Sequence, residues 1–286
     1  MKTLCAGVAA ISLWLALVSV GSAADSAKLT FKFKDVNVRG AKSTVVLAIN
    51  NAAVMVGTYT DQVGILHGFR LANGKATNVD DPGGTLTRPS GINKDGVIVG
   101  DYSKSGRLQA FLYKKGKFTD IGPANATASG AFGINDQGEI TGEYVDSSGL
   151  EHGFLLNGGK YTTLDVPGAT FTEAYGINNS GTITLIWGNS AGRVESSIYR
   201  NSKYTTIDVP GATSSYAHSI DSAGDVIFTW LDSSSVFHGA LLHSGKYYKF
   251  EDPNGNSAGN GINDQHVIVG AYLVSSQTFG GYQATY

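Results

Sequence analysis

Apolar and polar residues alternate with a period of two through most of the chain, in short runs separated by turns bearing glycine or asparagine. Ile140-Thr141-Gly142-Glu143-Tyr144 is one such run, and Ile98-Val99-Gly100-Asp101-Tyr102 is its counterpart 42 residues earlier. Both read as half-buried strands. The turn Asn135-Asp136-Gln137-Gly138 precedes the first run. After it come His152-Gly153-Phe154-Leu155-Leu156, the pair Gly158-Gly159, and the β-rich residues 161–166. Two-residue glycine connections between such runs mark hairpins. Each unit is predicted to be four short antiparallel strands, a to d in chain order.

The unit recurs six times. A tripeptide resembling Gly-Ile-Asn closes strand a at 48–50, 91–93, 133–135, 176–178, 219–221 and 261–263, at intervals of 42 or 43 residues. A fixed period of this size indicates a solenoid or a propeller, and four-stranded units select the propeller. The sequence given ends at Tyr286, in the third strand of the sixth unit. Residues 32–41 align without a gap to residues 160–169, which include a strand d. The N-terminal segment is therefore expected to complete the last blade, pairing edges that would otherwise be open. The predicted fold is all-β, a six-bladed β-propeller of four-stranded blades in one domain over residues 25–286.

His152-Gly153-Phe154-Leu155 and Gly91-Ile92-Asn93-x-x-Gly96-x-Ile98-Val99-Gly100 resemble the bacterial extracellular repeats named for a His-Ala-Phe motif, the HAF-type family. The resemblance covers all six units, with the fourth and fifth worn. It implies secretion and a propeller-like fold, and it implies no catalytic residues.

Residues 1–24 agree with secretion. Lys2 precedes an apolar run at 4–20 and the small residues Gly21-Ser22-Ala23-Ala24, the pattern of a cleaved signal peptide. The small residues favour cleavage over retention as a membrane anchor. The one cysteine, Cys5, lies in this leader, so the expected mature chain has neither disulfide nor thiol chemistry. Loss of Lys2 leaves 20 Lys+Arg against 23 Asp+Glu, with no basic stripe for a nucleic acid. After cleavage we expect a monomer in the periplasm or outside the cell, away from membrane and nucleic acid, using no cofactor and no metal.

Repeated positions read first as structure. An aromatic stands eleven residues after each anchor (Tyr59, Tyr102, Tyr144, Trp187, Trp230, Tyr272), with glycine two before it in four units, which suits packing between neighbouring blades. His67, His152 and His238 begin strand c in alternate blades. They lie at least ~9.5 Å from the axis, two strand spacings out, too far apart to share one metal. Hairpin register instead places them opposite Asp80, Asp165 and Glu251 as cross-strand pairs. The anchor asparagines are expected to bond their own turns.

Departures from the repeat supply candidate chemistry. In blade four Glu195 replaces the histidine and faces Asp208, a carboxylate pair of the kind that cleaves glycosidic bonds. Asp101 and Glu143 form a second pair, on strand b of adjacent blades. The face carrying the d-to-a loops presents Glu173, Tyr175, Tyr216 and His218, and Trp187 and Trp230 lie in blades four and five. Aromatics with scattered polar groups suit a sugar or a peptide. Three readings stand. The first is a secreted binding module for an unidentified carbohydrate, peptide or protein on the d-to-a face. The second is a glycan hydrolase or lyase using one of the carboxylate pairs, and the third is a structural surface protein.

Overall fold

The alternation produces the expected strands. In blade three, strand a is Ala128–Ile134, b is Ile140–Val145, c is Glu151–Asn157 and d is Lys160–Leu164. The computed structural model describes residues 29–286, so the expected leader at 1–24 lies outside the described residues. Within the unit Phe31–Tyr286 six antiparallel four-stranded sheets follow one another, making a six-bladed β-propeller without helices. Blade six consists of Ser257–Ile262, Val267–Ser275 and Thr278–Thr285, with Lys32–Asp35 hydrogen-bonded to the last of these.

The c-to-d hairpins explain why the turn residues recur. Gly158 and Gly159 both have positive φ, as do Asn73-Gly74 and Ser244-Gly245, the backbone of a type I′ turn that matches strand twist. This turn sets the register that pairs Asn157 with Lys160 and Gly153 with Leu164. His152 Nδ1 consequently lies 2.8 Å from Asp165, His67 Nδ1 lies 2.9 Å from Asp80, and His238 bonds Glu251. A second carboxylate from the b-to-c turn flanks each ring, with Asp61, Asp146 and Asp232 at 3.5, 3.4 and 3.2 Å.

Each histidine also stacks on the aromatic of its own strand b, as in Tyr144–His152 and Trp230–His238. The strand-b aromatics thus pack within their own blade as well as against the preceding one, as Tyr144 does with the cluster of Val97, Val99 and Ala110, so the expected packing between neighbouring blades is only part of their role. The reason lies in the c-strand ring. A Cβ on Gly142 would meet the Phe154 ring at 2.7 Å and the Gly130 carbonyl at 2.1 Å. The glycine makes room for strands a and c of the same blade.

The core lies between blades. Val97, Val99 and Ala110 of blade two pack on Ala131, Ile134, Ile140 and Phe154 of blade three, and similar layers occur at other junctions. A single blade therefore buries neither face alone.

The anchor asparagines do more than cap their turns. Each Oδ1 accepts backbone N–H groups of its own turn, as Asn50 does from Ala52 and Val54. Each Nδ2 donates to the anchor carbonyl of the next blade, from Asn50 to Asn93, Asn93 to Asn135, Asn135 to Asn178, Asn178 to Asp221 and Asn263 to Asn50, at 2.9–3.3 Å. The belt breaks once, after Asp221, whose side chain has no N–H to give. The anchor glycine lets the strands come this close, since a Cβ on Gly133 would meet the Tyr175 carbonyl oxygen at 2.3 Å.

Candidate functional site

Strand a carries a register shift in every blade just before its anchor, between Ala131 and Gly133 in blade three and at the matching places elsewhere. A bulge of this kind turns one side chain out of the alternation. The residues involved are Leu47, Ser90, Phe132, Tyr175, His218 and Asn260, one from each blade, and all six line a cavity of about 290 Å3. Arg88, Glu143 and Glu173 complete its wall. The bulge is common to all blades and the chemistry it presents is different in each.

One side of the cavity is aromatic. Phe132 and Tyr175 stack with centroids 4.4 Å apart at 18°, and His218 meets Tyr175 edge-on at 5.1 Å. Burial pushes the His218 imidazole down to about 4, so it is neutral at neutral pH. Burial raises the Tyr175 hydroxyl well above its usual range, reinforced by Glu173.

The other side is acidic without being fully charged. Glu143 and Glu151 of blade three and Glu173 of blade four each offer an oxygen within 4.8 Å of the others. At the position of Glu151 the other blades carry Leu66, Leu108, Val194, Phe237 and Phe279, so the cluster replaces an apolar contact. Burial pushes the Glu143 and Glu173 carboxyls well above the usual carboxylate range, and repulsion within the cluster adds to it. Such a cluster holds protons at neutral pH. Glu151 Oε1 is buried with no hydrogen-bond partner among the described residues.

Three of the expected face residues, Glu173, Tyr175 and His218, meet in this cavity together with Glu143. Tyr216 lies beside it, its ring parallel to His218 at 6.4 Å. Asp101 does not share the cleft with Glu143. It is fully buried, and its Oδ2 accepts from Nε and Nη2 of Arg88, both at 2.9 Å. Burial raises the Asp101 carboxyl, with Arg88 opposing. The sequence reading overlooked Arg88, Ser90, Phe132, Asn260 and Leu47. The signal for all but Arg88 is the strand-a position just before the anchor, whose residue type changes in every blade, and Arg88 shares the column of Glu173.

The remaining candidates lie elsewhere. Glu195 accepts from Asn189 at 2.7 Å, and Asp208 lies 3.7 Å from Arg193 and accepts the Ser196 N–H. Burial raises the Asp208 carboxyl and Glu195 adds to the shift. Neither residue lines the cavity. Trp187 donates to Ser197, and Trp230 is buried between His238 and Lys249, whose Nζ is 3.8 Å from the ring centroid. Both tryptophans are occupied by packing within their blades.

No family model matches the chain, and no curated protein matches it either. Solved structures do. The Aleuria aurantia lectin, described as a six-bladed β-propeller with a novel fucose recognition mode, is 13% identical, with TM-score 0.52 over 87% of this chain and 93% of the lectin. SapL1 lectin in complex with α-methyl fucoside is 10% identical, with TM-score 0.56 over 85% of this chain and 93% of that one. TolB from Acinetobacter baumannii is 12% identical, with TM-score 0.51 over 88% of this chain and 65% of TolB. At these identities the likeness is one of fold, and the fold shared with the lectin is the six-bladed propeller.

Proposed function

We propose that the protein is a secreted carbohydrate-binding propeller that holds one sugar residue in the cavity bounded by Phe132, Tyr175, His218 and Glu173, entered from the side of the d-to-a loops. The reading rests on the asymmetry of the bulge position. Six blades with one backbone present six different side chains to one cavity, and packing alone asks for no such variety. A volume of 290 Å3 falls at the low end of ligand sites, which run to ~1,000 Å3. That size suits a single sugar ring. The Phe132–Tyr175 stack offers an apolar platform for one face of the ring. Protonated Glu143 and Glu173 can donate to and accept from hydroxyl groups without the desolvation penalty of a bare carboxylate. Two of the similar propellers are described with fucose or a fucoside, and the methyl group of a 6-deoxy sugar would find Leu47 and Phe132.

Catalysis is the less favoured reading. Acid–base cleavage needs two carboxyl groups in one cleft, whereas Asp101 is buried against Arg88 away from Glu143, and Glu195 and Asp208 lie outside the cavity. The test is a glycan array that includes fucosylated glycans, probed with the protein and with Glu173→Gln and His218→Ala. We expect a defined set of bound glycans, at least tenfold weaker binding by either variant, and unchanged melting. Binding untouched by both variants would move the site elsewhere. Released sugar would restore the hydrolase, and silence across the array would leave a structural role.

A further inference from the structure

At the junction of blades five and six, on the belt side of the channel, four positions depart from the repeat together. Asp221 stands where the other five blades have asparagine, and Asp225 where they have Val54, Val97, Glu139, Thr182 and Val267. His266 occupies a turn position held by glycine in four blades and by Ala53 in another, and its φ is +59°. His243, at the end of strand c in blade five, bonds Asp225 Oδ2 through Nδ1 at 2.6 Å. Tyr286 donates to the same oxygen at 2.9 Å.

We propose that Asp221, Asp225 and His266 bind a divalent transition-metal cation of the zinc class. One oxygen or nitrogen from each lies within 4.8 Å of the others. Ligands of a tetrahedral zinc stand ~2.0–2.2 Å from the ion, so the three need to close by about an ångström, and the exposed His266 would do so by turning from the Tyr286 hydroxyl, which its Nδ1 meets at 3.2 Å. Asp221 supplies the independent sign of a ligand. It is only 4% exposed, its Oδ1 accepts the Asp225 N–H, and its Oδ2 is buried without a hydrogen-bond partner among the described residues. In the other blades the equivalent atom is the amide nitrogen that donates to the next blade's anchor carbonyl. In blade five that donor is replaced by a carboxylate oxygen that is buried without a partner, and a bound cation would supply one.

His243 and Tyr286 are positioning residues. They fix the Asp225 carboxylate as outer-shell partners fix metal ligands. Imidazole with two carboxylates suits zinc and its first-row neighbours. Nearby Asp264 bonds Asn51 and Ser222 and adds negative charge to the neighbourhood without joining the ligand set.

The test is zinc titration of the chelator-stripped full chain against a metallochromic dye, with Ca2+ titrated in parallel. We expect one equivalent of Zn2+ bound at micromolar or tighter Kd, and a melting temperature that rises with zinc. Asp221→Asn and His266→Gly should each weaken binding at least tenfold and lose the thermal response. Both substitutions restore the consensus of the other blades, so loss of binding cannot be put down to misfolding. His243→Ala should weaken binding ~10-fold through the outer shell. Sub-stoichiometric zinc, a preference for Ca2+, or full affinity in both consensus variants would overturn the site.

Discussion

Asp221→Asn should stabilise the metal-free protein. The substitution returns the one N–H missing from the inter-blade belt, which elsewhere makes bonds of 2.9–3.3 Å. It also removes a buried oxygen that has no partner. A regained hydrogen bond contributes ~1 kcal/mol, and relieving an unsatisfied buried group adds ~1–3 kcal/mol. The gain is about 2 kcal/mol or more, and at ~2–4 °C per kcal/mol for a domain of this size the melting temperature should rise by roughly 4–8 °C.

The pH dependence gives a second, independent signature. Burial raises the Asp221 carboxyl, with Asp225 and Asp264 contributing. Its folded-state pKa then exceeds the unfolded one, so the destabilisation is present in full above the folded value. It fades as pH falls and is absent below the ordinary ~3.9. The advantage of Asp221→Asn should follow the same course. The assay is calorimetry from pH 4 to 8 in a chelating buffer. A variant no more stable than the parent, or a difference flat across that range, would refute the reasoning. Asn178→Asp, which removes the bond to Asp221 O, should move stability the opposite way.

Gly133→Ala should destabilise by ~1–3 kcal/mol, because its Cβ would meet the Tyr175 carbonyl oxygen at 2.3 Å. A chemical denaturation midpoint equal to the parent's would show that the blades have slack at the channel. The histidine staples predict a loss of stability in the alkaline direction. The hydrogen bond to Asp80 raises His67, and at His152 the pull of Asp165 and Asp146 outweighs the lowering effect of burial. Their contribution is full below the ordinary ~6.5 and lost as pH rises through the raised values. His152→Gln should therefore lower stability by ~0.2–1 kcal/mol at pH 5.5 and by less at pH 8.5, read from melting curves. An equal deficit at both pH values would assign the staple to packing on Tyr144 alone.

The fold was legible because a repeat averages over its own noise. Tyr59 alone says little, but an aromatic that returns every 42 or 43 positions must see the same neighbours six times over. The I′ turn at Gly158-Gly159 set the hairpin register, and the His152–Asp165 contact followed from counting. The second carboxylate on each histidine did not follow, because Asp146 reaches His152 from a turn whose path the alternation does not describe. The belt was half read for a related reason. An asparagine before a turn announces its own cap, whereas its amide nitrogen bonds a residue 42 or 43 positions away.

The cavity was harder to see, and its position shows why. Period-two reasoning assigns each strand residue to one of two faces, and a bulge belongs to neither. Phe132 sits between Ala131 and Gly133, where the pairing slips by a residue, so a strict alternation hides it in the wall of a blade. Tyr175 and His218 stand out in the sequence for their ring chemistry, and Ser90, Asn260 and Leu47 do not. The six aligned repeats carry the missing signal. The Asn column changes once, at Asp221. The column before the Gly-Ile-Asn anchor changes in every blade. The column two residues before it, which includes Arg88 and Glu173, changes in every blade as well, and in a closed ring of equivalent backbones such variation at inward positions distinguishes one direction of approach from another. The two places where this ring abandons its symmetry most completely are the cavity beside Glu173 and the junction at Asp221, and those are the places where substitutions should change what the protein binds before they change whether it folds.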